Sequence, residues 1–131
     1  MKPALVGLVA LLAACGGLSQ SAMAAPPPGN WQGILDADNR PSLPVRLVLD
    51  GKGAGQLQFG EPWNCSLALT FRGEQGGRAI FSLTPARSNP MCDRMYPGSA
   101  YLTSGNSGAF ALEIAAGPER LKGTLQPLPR P

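Results

Sequence analysis

Between residues 63 and 72 the chain sets Trp63, Cys65, Leu67, Leu69 and Phe71 against Asn64, Ser66, Ala68, Thr70 and Arg72 at alternate positions. A period of two places the first set on one face of an extended strand and the second set on the other. Val45, Leu47 and Leu49 alternate with Arg46, Val48 and Asp50 in the same way, and Phe110, Leu112 and Ile114 alternate with Ala111 and Glu113. Outside an N-terminal apolar run, no window sustains the 3.6-residue period of an amphipathic helix.

Between these runs stand Asp50-Gly51-Lys52-Gly53, Gly73-Glu74-Gln75-Gly76-Gly77, Gly105-Asn106-Ser107-Gly108 and Ala116-Gly117-Pro118-Glu119. Each supplies residues that tolerate positive φ where a hairpin needs them. The pattern predicts eight strands, near 31–36, 43–50, 55–60, 63–72, 78–84, 98–104, 109–115 and 120–126. Short links pair neighbours in sequence. The expected fold is therefore all-β: a small antiparallel eight-stranded meander barrel with one disulfide, a β-sandwich being the alternative. The long connection, Pro85 to Pro97, carries Cys92, while Cys65 falls on the inward face of the clearest strand.

The N-terminus changes where this domain is placed. Met1-Lys2-Pro3 is a short positive region, residues 4–18 are largely apolar, and Ala22-Met23-Ala24 is a small-x-small cleavage site. Together they read as an export signal over 1–24, too short and too interrupted by glycine to span a membrane. Leu12-Ala13-Ala14-Cys15 also has the form of a lipobox. The alternative is therefore a lipoprotein signal over 1–14 with Cys15 lipidated. After the signal come a Pro-rich lead-in at 25–29, the barrel domain at 30–127 and a tail at 128–131. The expected location is periplasmic or secreted, or the outer membrane for the lipidated form. Either processing accounts for Cys15 and leaves Cys65 and Cys92 as an even pair in an oxidising compartment, which predicts a disulfide between them.

Composition excludes several chemistries. Histidine is absent, which removes Ser-His-Asp and Cys-His catalysis and the usual zinc ligand sets. Oxidised cysteines offer no nucleophile, and no P-loop, dinucleotide fingerprint or EF-hand loop is present. Asp36-Ala37-Asp38-Asn39 lacks the further oxygens and the bidentate Glu of a calcium loop. The net charge of +3 is spread along the chain without a basic stripe, so nucleic acid is not an expected partner. The chain reads as a non-enzyme with no catalytic residues, no metal and no cofactor.

Gly29-Asn30-Trp31 at the start of the first strand resembles the G-x-W of lipocalin-like (calycin) β-barrels. In that family the Trp closes one barrel end and a basic residue near the last strand packs over it, a place that the resemblance gives to Arg120. Pro97-Gly98-Ser99-Ala100-Tyr101 is distantly similar to the S-G-x-x-Y loop of bacterial periplasmic lysozyme inhibitors. Its order and spacing differ from that loop, and the family's second, lysine-bearing motif is not recognisable.

A disulfide from Cys65 to Cys92 would gather Trp63, Met91, Arg94, Met95 and Tyr96 around one rim, although Trp63 shares a face with Leu67 and Leu69 and reads first as a core residue. Aromatic and Arg side chains are common anchors of protein interfaces, and a loop stiffened by a disulfide and prolines loses less entropy on binding. The expected function is an exported, non-catalytic binding or inhibitor module that meets a protein partner in the envelope through this rim. The alternatives are a lipocalin-like carrier of a small apolar ligand and an envelope-structural lipoprotein. Intact mass of the protein recovered from the envelope separates the two processing routes. A start at Ala25 with a mass lighter by one pair of hydrogens is expected, whereas an acylated Cys15 replaces that start in the lipoprotein.

Overall fold

The computed structural model describes residues 25–37, 41–87 and 89–129. Residues 1–24, read above as a signal and including Cys15, together with Asp38, Asn39 and the last two residues, lie outside the described residues. Eight strands follow one another: β1 Gly29–Ala37, β2 Leu43–Leu49, β3 Ala54–Phe59, β4 Cys65–Gln75, β5 Arg78–Pro85, β6 Gly98–Ser104, β7 Phe110–Ala116 and β8 Glu119–Pro127. A four-residue helical turn, α1, Pro90–Asp93, interrupts the connection from β5 to β6. Every strand pairs antiparallel with the next, and β8 returns to pair with β1, so the sheet closes into a barrel. The sandwich alternative is thereby set aside.

The strand bounds fall where the alternation places them, with one informative exception. Trp63, expected to open the fourth strand, stands in the turn before Cys65. Its ring is buried nonetheless, 5.2 Å from that of Phe59. At the other end of β4 the register slips between Phe71 and Gly73, so Arg72 is the extra residue of a bulge opposite Phe81 and Ile80. Such a bulge bends the strand and increases its twist, which helps the sheet to curl.

Closure is governed by glycine at the seam of β1 and β8. Gly33 and Gly123 take inward positions between buried neighbours, Gly33 opposite Leu125 and Gly123 opposite Leu35. A Cβ on Gly33 would stand 2.2 Å from the Thr124 carbonyl oxygen, and one on Gly123 would stand 2.1 Å from that of Ile34. The strands can bend past each other this closely only without side chains there.

The interior is a packed column rather than a hollow. Each strand contributes at least one leucine exposed by 2 % or less: Leu35, Leu47, Leu57, Leu67 with Leu69, Leu83, Leu102, Leu112, and Leu121 with Leu125. Eight strands leave an interior just wide enough for side chains to fill. Both ends are stoppered by aromatic rings. At the end where the chain enters and leaves the barrel, Trp31 lies 5.0 Å from Phe110 and its indole N–H donates to the Gly108 carbonyl at 2.9 Å. Pro26 and Pro27 cross this end and enclose about 130 Å³ with Phe71, Leu102 and Phe110. At the opposite end Phe59 and Trp63 do the stoppering.

Asp50 organises the β2–β3 hairpin, its Oδ1 accepting from the backbone N–H groups of Lys52 at 2.6 Å and Ala54 at 3.0 Å. These two bonds hold its carboxyl below the ordinary value of 3.8. Their support of the hairpin is complete above that value and fades as the pH falls below it. Two outcomes are expected on denaturant unfolding. Gly33→Ala should cost about 3 kcal/mol or more, since the added methyl meets backbone that cannot yield. Asp50→Asn should flatten the fall of stability at acid pH while leaving neutral stability close to wild type.

Candidate functional site

The end of the barrel opposite the chain termini carries the β5–β6 connection, and the sulfurs of Cys65 and Cys92 fix it there at 2.02 Å. Cys65 opens β4 and Cys92 is the fully buried residue of α1, so the bridge ties the connection to the barrel wall. The helical turn forms for local reasons. Asn89 caps it, its Oδ1 accepting from the Met91 N–H at 2.8 Å, and Pro90 occupies the first turn where no N–H is needed. The Asp93 N–H donates to the Asn89 carbonyl and that of Met95 to the Cys92 carbonyl, which turns the chain back toward β6.

The five residues expected at the rim share this end and divide between inside and outside. Met95 is fully buried and Trp63 nearly so, Met91 is half-buried against the core, and Arg94 and Tyr96 are exposed. Trp63 and Met95 are therefore packing residues that hold the loop, and the surface they support presents Arg94 and Tyr96. Tyr96, 59 % exposed, is one of two large apolar side chains left in solvent among the described residues, Ile34 being the other.

The structure adds a second wall that the sequence does not point to. Arg94, Tyr96 and Pro97 face the β7–β8 turn, Ala116 to Glu119, across a groove of about 400 Å³. Gly98 permits this approach, since a Cβ there would stand 2.4 Å from the Met95 carbonyl oxygen and 2.9 Å from Ala116 Cβ. The turn itself is tied by Arg120, whose Nη1 donates to the carbonyls of Gly117 and Glu119, both at 2.8 Å. This overturns the place that the lipocalin resemblance gives Arg120. It stands at the start of β8, whereas Trp31 pairs with Pro127 at the end of β8, so the length of the barrel separates them. Ser99 and Tyr101, read as part of an inhibitor-type loop, are instead strand residues of β6.

A second feature lies on the outer wall. Tyr101, Glu113, Lys122 and Asp36 stand side by side across β6, β7, β8 and β1. The Arg78 guanidinium sits 4.2 Å over the Tyr101 ring and 3.9 Å from Glu113. Neighbours of opposite charge on adjacent strands stabilise a sheet, and the row is balanced within itself. Among the described residues no three His, Cys, Asp or Glu side chains come together. No family model matches the chain, and no curated protein and no solved structure matches it either.

Replacing Cys65 and Cys92 together by Ala reopens a link across 27 residues. Chain entropy sets the expected loss at about 3–4 kcal/mol on urea unfolding of the purified protein. A loss of that size with the far-ultraviolet spectrum of a sheet retained would place the bridge as a clamp on an otherwise competent barrel.

Proposed function

We propose that this chain is an exported, non-catalytic binding module that captures a protein partner in the envelope through the groove beside the disulfide. The observation that carries the reading is the pairing of an exposed Tyr96 with Arg94 on a loop held by a bond, a cap and a buried anchor. Tyr brings a large rigid contact area with little entropy to lose, and Arg brings directional donors. The fixed loop adds preorganisation, which reduces the ordering cost of association. Pro97 and Pro118 stiffen the two facing walls of the groove.

The same geometry weighs against a carrier of apolar ligands. The column of leucines occupies the volume in which a lipocalin-like barrel would hold its cargo, and about 130 Å³ remains beneath Pro26 and Pro27. Ligand sites are typically about 300 Å³ or larger. The G-x-W segment and the closed meander therefore support likeness of architecture without the pocket.

A photocrosslinker placed at exposed Pro118 tests the reading in living cells. A discrete adduct is expected from that position, together with its loss in the Arg94→Ala, Tyr96→Ala double variant. The same adduct at wild-type yield in the double variant, or from Ser107 at the far end, would refute it.

A further inference from the structure

A depression of about 650 Å³ lies on the outer wall over β8, β1, β2 and β3 and shares no lining residue with the rim groove. Its floor is a single register row. Gln126 stands beside Gln32, Gln32 beside Arg46, and Arg46 beside Gln58. With about 4.8 Å between strands, the row spans about 14 Å. Next to it, exposed Ile34 pairs with Pro44, forming a small apolar step.

What separates this face from the charged row around Arg78 is that most of its polar groups lack protein partners among the described residues. Arg46, Gln32 and Gln126 make no side-chain hydrogen bond or ion pair among the described residues, while Gln58 donates to Gln56 at 2.8 Å. Among the described residues no carboxylate lines the depression, so none of them there balances the Arg46 charge. Around Arg78, by contrast, the cation already has a ring and an acid.

We infer that this face binds an acidic glycan, a chain of sugar rings bearing carboxylates. Planar amides and a guanidinium, each offering in-plane hydrogen bonds, match the paired hydroxyls of a sugar ring. Arg46 pairs with the carboxylate in the two-pronged geometry its fork favours. Ile34 and Pro44 meet the C–H face of a ring. Other ligand classes fit less well. A nucleic acid needs several cations along its backbone, and a peptide adding as a strand needs a free sheet edge, which a closed barrel lacks. An apolar molecule would strand the amides without partners. A polyuronate, with a free carboxylate on each ring, has the required chemistry.

Protein purified from the envelope of cells expressing the full chain is mixed with peptidoglycan sacculi, with polygalacturonate and with uncharged dextran. Saturable binding to polygalacturonate is expected, with little to sacculi, whose ring carboxyls are taken up by stem peptides, and little to dextran. Arg46→Gln should weaken it about tenfold or more. Gln32→Ala with Gln126→Ala should weaken it several-fold, and Tyr96→Ala should leave it unchanged. These side chains are exposed, so unaltered melting temperatures are expected for all the variants. Failure to bind polygalacturonate, equal binding to sacculi or dextran, or wild-type affinity in Arg46→Gln overturns the inference.

Discussion

The first and last strands of this chain meet along seven paired positions, from Trp31 opposite Pro127 to Ala37 opposite Leu121. That seam converts a meander with two free edges into a barrel with none, removing the unpaired rows that invite edge-to-edge association. It is also the most long-range contact in the fold, so its cost in chain entropy must be met by the packing that closure permits. Gly33 and Gly123 make the closure sterically possible, and the leucine column makes it favourable.

From closure follows the division of labour around the molecule. A packed interior leaves little room for cargo, so the recognition proposed for this chain lies on the surface. There the two ends differ. One is occupied by Pro26, Pro27 and the anchored β6–β7 turn, held by the indole of Trp31. The other carries the disulfide, which fixes a loop too long to be ordered by hairpin geometry alone. Buried Met95 and Cys92 anchor that loop from within, and this leaves Arg94 and Tyr96 presented by a firm support. The outer wall is divided in a similar way. One face neutralises its own charges, and on the other Arg46, Gln32 and Gln126 have no side-chain partner among the described residues.

The two parts of the lipocalin-like resemblance in the sequence fare differently once the chain is folded. The eight-strand count and the Trp near the first strand's start agree with a closed barrel capped by that ring. The basic residue meant to cover the ring stands at the other end of β8 and ties a turn instead. Fold and local motif are separable, and likeness in one does not bring the other with it.

The sequence alone determined the class of fold, the strands and the pairing of two cysteines. Each rests on a local or near-local signal: a period of two, glycine-rich bends, and a count of thiols. Val45, Leu47 and Leu49 face inward because alternate side chains must, whatever the rest of the barrel does. The tertiary structure alone decided which rim residues face solvent, since Met95 and Tyr96 are neighbours with opposite fates set by the bridge and the turn at α1. It also decided that the β7–β8 turn walls the groove, and that Gln126, Gln32, Arg46 and Gln58 form one row. Such neighbours are brought together by register and closure across strands far apart in the chain, and no period along a single strand carries that information.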